Sequence, residues 1–181
     1  MPIFTDQAFL LSIIVGIFIG ATAGYLGSIM VLRRMALAGD VLSHVALPGI
    51  GLALVYNLDP FLFGFLFLAA ASFLIWFLEG KTKIPTDAII GIVFVAALAF
   101  GILITPELEL AEVLFGEISE VRLLDGIFVV LLSIIVFIAV KKIYKKLVLG
   151  IISEDLAVSS GVNLRLISLI YLFLVAVTVA L

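Results

Sequence analysis

The sequence predicts an all-α fold: a polytopic bundle of about six transmembrane helices in one domain covering residues 1–181. Three observations predict it. Of the 181 residues, 65% are hydrophobic and 13% charged, whereas soluble domains hold about 45–50% and about 25%. Several nearly uncharged runs approach the ~20 residues that a helix needs to cross ~30 Å of hydrocarbon. These runs are apolar all round, while barrel strands alternate apolar and polar over ~10 residues.

The predicted segments are residues 8–32, 35–56, 60–78, 88–105, 126–140 and 164–181. The first is expected to remain a membrane helix. Residues 1–7 hold no Lys or Arg, unlike the basic start of a signal peptide, and Arg33 and Arg34 follow the run. Gly16, Gly20 and Gly24 recur every four residues along it, a small-residue pattern suited to helix–helix packing, with the second helix as the expected neighbour.

The connections divide by charge. Arg33, Arg34, Lys81, Lys83, Lys141, Lys142, Lys145, Lys146 and Arg165 fall at alternate connections or helix ends. The other connections carry acids, with Arg122 the one basic residue among them. The positive-inside rule makes the Lys/Arg-bearing set cytoplasmic, so the N-terminus is expected outside.

Two connections are long. Residues 106–125 are acidic with interspersed Leu, Val and Phe, and a short amphipathic outer-surface helix is expected there. Residues 141–163 form the other, on the cytoplasmic side. Within it Ser153 is placed to cap a short helix whose first turn holds Glu154 and Asp155, where negative charge meets the positive end of the helix dipole. Gly161 is placed to end that helix in the left-handed conformation. Leu181 finishes within an apolar run with no polar tail, the ending expected of a truncated chain.

The chemistry gathers in Met35-Ala-Leu-Ala-Gly-Asp-Val-Leu-Ser-His-Val-Ala-Leu-Pro-Gly49. Asp40 and His44, the chain's only histidine, are four apart and share a helix face. A carboxylate at a membrane helix centre costs ~2.5–3.5 kcal/mol on insertion scales, and such groups face a bundle interior or a watery cavity. Carboxylate plus imidazole suits Zn²⁺, Mn²⁺ or Fe²⁺. It also suits a proton pathway, a structural cluster with Ser43, or a place at the interface beside Arg33 and Arg34. Spacing does not choose among these. Pro48 has no N–H for the His44 carbonyl, and its ring crowds that carbonyl. A kink is expected, with the carbonyl left to line a cavity.

Absence of cysteine excludes disulfides, thiolate metal sites and cysteine catalysis. No Gly-x-x-x-x-Gly-Lys-[Ser/Thr] loop occurs, so the chain is not expected to hydrolyse ATP itself and is not expected to be an enzyme.

The run Arg33-Arg34-Met35-Ala36-Leu37, then Gly39-Asp40, Ser43-His44 and Leu47-Pro48-Gly49, resembles the signature of the zinc/manganese-type ABC permeases, the ABC-3 family. The likeness continues in Asp87-Ala-Ile-Ile-Gly-Ile-Val-Phe94, Leu114-Phe-Gly-Glu117, Glu154-Asp-Leu-Ala157 and Gly161-Val-Asn163. It implies a permease subunit of an ATP-driven importer of zinc, manganese or iron ions in a prokaryotic cell membrane. Such subunits pair, so the expected partners are a second copy, a cytoplasmic ABC ATPase and an extracellular or periplasmic metal-binding protein. The resemblance places Asp40 and His44 of each copy at a metal site in the pathway, four groups where one chain supplies two. It gives Ser153, Glu154, Asp155, Leu156, Ala157 and Gly161 the role of docking on the ATPase. The ion is cargo; no permanently bound cofactor and no nucleic-acid partner is expected. Family members continue with further membrane helices beyond the equivalent of Leu181, again the expectation of a truncated chain.

Other readings stand beside this one. They are a gradient-driven secondary transporter or proton relay using Asp40 and His44, a permease for metal chelates, and a membrane scaffold without transport.

Overall fold

The computed structural model describes residues 7–36, 38–106 and 123–181. The described residues form α1 (Gln7–Leu32), α2 (Ala38–Val45), α3 (Leu47–Tyr56), α4 (Pro60–Glu79), α5 (Thr86–Ile104), α6 (Leu123–Ile152), α7 (Glu154–Ser159) and α8 (Leu164–Ala180). Five stretches are long and apolar enough to cross a membrane: Leu10–Leu32, Ala38–Tyr56, Pro60–Glu79, Thr86–Ile104 and Leu123–Ile152. The 17-residue α8 is a shorter apolar helix. Each predicted segment has its helix, and the chain is a polytopic helical bundle.

Two expectations change in detail. The segment predicted at 126–140 is part of a 30-residue helix that runs on to Ile152. Lys141, Lys142, Lys145 and Lys146 end the apolar stretch, but lysine is a good helix former, so charge ends the lipid-facing part without ending the helix. What was expected as a long connection reduces to Ser153, α7 and the turn into α8. The amphipathic outer helix expected in 106–125 falls mostly on residues 107–122, outside the described residues.

Local chemistry explains the boundaries. Asp59 caps α4, its Oδ1 accepting from Leu62 N at 2.8 Å, with Pro60 in the first turn, where its missing N–H is no loss. Asn163 caps α8 by accepting from Leu166 N at 3.1 Å. Three helices close with one motif. At the end of α1, Met35 N donates to Met30 O at 2.8 Å and Arg34 N to Val31 O at 3.0 Å. Asn57 after α3 and Gly161 after α7 are flanked by the same bond pair. The pivotal residues Arg34, Asn57 and Gly161 have φ of 58°, 53° and 76°, the left-handed signature of the Schellman turn.

Helix α8 is the inner element. Tyr171, Leu172 and Ala176 are wholly buried because α1, α2, α4 and α6 all pack on it. Helix α1 lies along α6, α3 sits between α4 and α5, and α2 leans on α5. Outward faces carry exposed Ile17, Phe61, Leu103 and Leu131, a surface matched to lipid tails. In lipid, apolar burial does not drive helices together; close packing and interhelical hydrogen bonds do, the latter averaging ~0.6 kcal/mol each. Tyr171 donates to Leu26 O at 2.9 Å, and Thr22 reaches Ser133 O at 3.3 Å.

Candidate functional site

The segment 38–56 is one membrane crossing made of two helices. Ala46 joins them in a helical conformation, φ −70° and ψ −23°, two residues before Pro48. The expected interruption is therefore present, and the His44 carbonyl has no proline N–H to meet. Helix α3 is seated by glycines. A Cβ on Gly49 would lie 2.8 Å from the Phe63 carbonyl carbon, and one on Gly51 would strike Thr105. A Cβ on Gly101 would strike Leu47. The half-helix after the break is thus held at backbone distance by α5 and α4.

Helix α2 carries the polar pair. Asp40 lies in its first turn and His44 in its last, with Asp40 exposed and His44 half-buried. The His44 ring stands 5.8 Å from that of Phe94 on α5, tilted by 53°. Ser43 Oγ donates to the Asp40 backbone carbonyl at 2.6 Å, which turns the hydroxyl back onto the helix and away from the Asp40 carboxylate. Among the described residues neither the Asp40 carboxylate nor the His44 imidazole makes a hydrogen bond or ion pair, and no group of three or more His, Cys, Asp and Glu is gathered. One chain offers one carboxylate and one imidazole.

Arg33 is committed elsewhere. Its Nη2 donates to Ser168 Oγ at 2.9 Å and lies 3.7 Å from Glu79 Oε1, and its guanidinium carbon stands 5.3 Å from the Tyr171 ring centre. Glu79 also accepts from Thr86 Oγ1 at 2.8 Å and from Ser168 Oγ at 3.0 Å. This four-helix cluster was not anticipated from sequence. The available signal was Glu79 itself, an acid closing an apolar segment at the Lys/Arg-bearing end.

The segment after α6 folds as its caps suggest. Ser153 Oγ accepts from Leu156 N at 3.3 Å, Glu154 and Asp155 occupy the first turn, and Gly161 closes the turn beyond Ser160. Ala157 is wholly buried, while Leu156 and Val158 are 54% and 60% exposed. A six-residue helix therefore presents two apolar side chains and two carboxylates outward.

The glycines of α1 fall differently. Gly16, Gly20 and Gly24 are exposed, and a Cβ on any of them would meet nothing within 4 Å. The expected packing of this stripe against the second helix is not made among the described residues. α1 instead turns its larger residues Val15, Leu26 and Ile29 inward, and packs on α6 and α8.

A helical bundle with five stretches long and apolar enough to cross a membrane, one of them broken and bearing a polar pair, defines a multi-pass membrane protein. The model of the ABC 3 transport family matches residues 5–181, and the chain belongs to that family. It is 32% identical over 174 residues to the manganese transport system membrane protein MntC of Listeria monocytogenes, covering 93% of this chain and 62% of that protein. The manganese import system permease protein ScaB of Streptococcus gordonii is 33% identical, over 92% of this chain and 63% of its own. The high-affinity zinc uptake system membrane protein ZnuB of Haemophilus influenzae is 30% identical, over 94% and 67%. The chain thus spans less than two thirds of the length of the first two relatives. Among solved structures, PsaBC from Streptococcus pneumoniae in complex with Fab superposes with a TM-score of 0.72 at 28% identity, covering 99% of this chain and 67% of that one.

Proposed function

We propose that residues 1–181 form a single permease domain, the translocation-pathway part of an ATP-driven importer of a divalent metal ion. The observation that carries this reading is the pair on α2: Asp40 and His44 share one face, next to a helix break, with no hydrogen-bond or ion-pair partner among the described residues. A metal pathway uses such uncommitted donors. Membership of the ABC 3 transport family and likeness to manganese and zinc permeases support manganese or zinc as cargo, with iron acceptable to the same donors.

Two donors fall short of a four-coordinate shell, so a second copy of the chain completes the site with its own Asp40 and His44. Transport needs an ATPase partner, and α7 with its exposed Leu156 and Val158 is the segment that docks on it, between Ser153 and Gly161. A binding protein delivers the ion at the opposite face. With the basic helix ends cytoplasmic, the N-terminus lies outside a prokaryotic cell membrane.

The test is metal stoichiometry. Purified protein in detergent is equilibrated with Mn²⁺ or Zn²⁺, freed of excess ion, and compared with the Asp40→Ala/His44→Ala variant. About one ion per two chains, the ratio of a four-group symmetric shell, lost in the variant, is expected. Equal metal in both, or none in a folded dimer, removes the pair from the pathway and favours a proton relay.

A further inference from the structure

A cavity of about 430 Å³ lies where α1 and α4 end and α7 and α8 begin, its wall including Arg33, Trp76, Glu79, Glu154 and Arg165. Two arginines therefore line one space. Arg165 is held in place: Trp76 Nε1 donates to its backbone oxygen at 2.8 Å, and its own Nη2 donates to Gly80 O at 2.5 Å. Gly80 is the seat for this group. Its φ of −79° suits any residue, but a Cβ there would lie 2.9 Å from Arg165 Nη2. The remaining N–H groups of Arg165 are uncommitted among the described residues.

Arg33 is incompletely satisfied as well. Its Nη1 is buried without a hydrogen-bond partner among the described residues, and its counter-ion Glu79, at 3.7 Å, already accepts from Thr86 and Ser168. Nη1 has no surface open to the cavity, so Arg33 supplies charge there and not a hydrogen bond. In sequence, Arg34 follows α1, Lys81 and Lys83 follow α4, and Lys145 and Lys146 lie in the last turns of α6, and basic pockets at this end of membrane helices draw anionic headgroups.

We propose that this cavity binds a phosphate group, carried by an anionic phospholipid or present as the free anion. The guanidinium fork of Arg165 hydrogen-bonds two phosphate oxygens, and Arg33 contributes charge from the wall. Glu154, on the exposed rim, opposes the anion.

Trp76 is the chain's single tryptophan and lines the cavity, so its fluorescence reports occupancy. The full chain in non-ionic detergent is titrated with short-chain phosphatidylglycerol, with phosphatidylcholine of the same chain length, and with inorganic phosphate. A saturable change is expected with phosphatidylglycerol at a concentration at least about tenfold below any change with phosphatidylcholine, a preference in line with headgroup charge. A saturable response to inorganic phosphate without preference for phosphatidylglycerol also supports the site and makes its ligand the soluble anion. Arg165→Gln weakens whichever response is seen by about tenfold or more, the scale of a lost charge-assisted fork. Arg33→Lys, which retains the charge on Glu79 and the fold, weakens it less, and Glu154→Gln tightens it. Identical curves for both lipids with no response to phosphate overturn the proposal, as does an Arg165→Gln protein, folded by circular dichroism, that titrates like the parent.

Discussion

Arg33 Nη2 stands 3.7 Å from Glu79 Oε1, so this cation is committed to α4 and not to Asp40, which has no ion pair among the described residues. The two side chains are 16% and 26% exposed, sheltered enough for the loss of one partner to be felt. Glu79 ties α5 through Thr86 and α8 through Ser168, and Arg33 ties α1 to the same point. Four helices, α1, α4, α5 and α8, thus meet in one polar knot beside the turn that leads into α2.

Removing the carboxylate strands Arg33 and both hydroxyl donors. Glu79→Ala is expected to lower stability by about 2–3 kcal/mol, within the range for leaving a sheltered charge and its hydrogen-bond partners unmet. Glu79→Gln keeps an acceptor for Thr86 or Ser168 and is expected to cost about half as much. Thermal unfolding in detergent measures both. Equal melting of parent and Glu79→Ala would show that the knot contributes nothing to stability.

The glycines divide into two kinds, and substitution separates them. At Gly49 the obstacle is the backbone of Phe63, which cannot step aside; at Gly51 it is the buried Thr105 hydroxyl, bonded to Gly101 O, with the Thr105 backbone 3.3 Å from the added Cβ. Gly49→Ala and Gly51→Ala are each expected to cost about 3 kcal/mol or more, at the upper end for overpacking. Gly16→Ala and Gly20→Ala meet open space and are expected to leave melting unchanged or raise it, since alanine is favoured over glycine in a helix by about 0.5–1 kcal/mol. A fall in dimer content for the latter pair, seen by light scattering, would place the stripe between copies.

The bundle was legible because its solvent is lipid: runs such as 60–78 and 88–105 have no other place to go, and their ends are marked by Asp59-Pro60 and by lysines. The short helix α7 was legible from Ser153 and Gly161, since caps act through nearest neighbours. What stayed hidden were relations between segments. Gly16, Gly20 and Gly24 form a good packing pattern, but a pattern does not name its partner, and among the described residues they have none. Arg33 and Glu79 are far apart in sequence, and only the docking of α8 between α1 and α4 brings them together. The extension of α6 through its lysines was missed because charge marks the membrane boundary, while helix ends answer to caps and glycine. The pair on α2 was visible by its spacing; its lack of partners needed the fold.

The turn after α1 carries a non-glycine residue where the Schellman motif calls for a left-handed one. Arg34 has φ of 58°, a conformation costing a side-chain-bearing residue roughly 1 kcal/mol. Arg34→Gly is expected to raise stability by up to about that amount, as no hydrogen bond of the Arg34 side chain is lost among the described residues. Gly161→Ala runs the same argument in reverse and is expected to lower it by about 1 kcal/mol. Hydrogen exchange of the α7 amides reads the second change locally: faster exchange is expected with Gly161→Ala, and also with Ser153→Ala, which removes a cap of about 1 kcal/mol.

Asp40 and His44 offer the sharpest contrast between a structural and a functional role. A structural cluster would make its members expensive to remove, as at Glu79. On α2 the hydroxyl of Ser43 is turned to the backbone, Asp40 is exposed, and His44 has a ring contact with Phe94 but no hydrogen bond or ion pair among the described residues. Asp40→Asn and His44→Gln are therefore expected to change unfolding by no more than about 0.5 kcal/mol, the range for substitutions away from packing and hydrogen bonds. Adding Mn²⁺ or Zn²⁺ should raise the melting temperature of the parent protein, because a ligand that binds only the folded state stabilises it by mass action. The same addition should leave both variants unmoved. A large loss of stability in the metal-free variants would return the pair to a structural role, whereas metal protection that survives either substitution would move the ligands elsewhere in the chain.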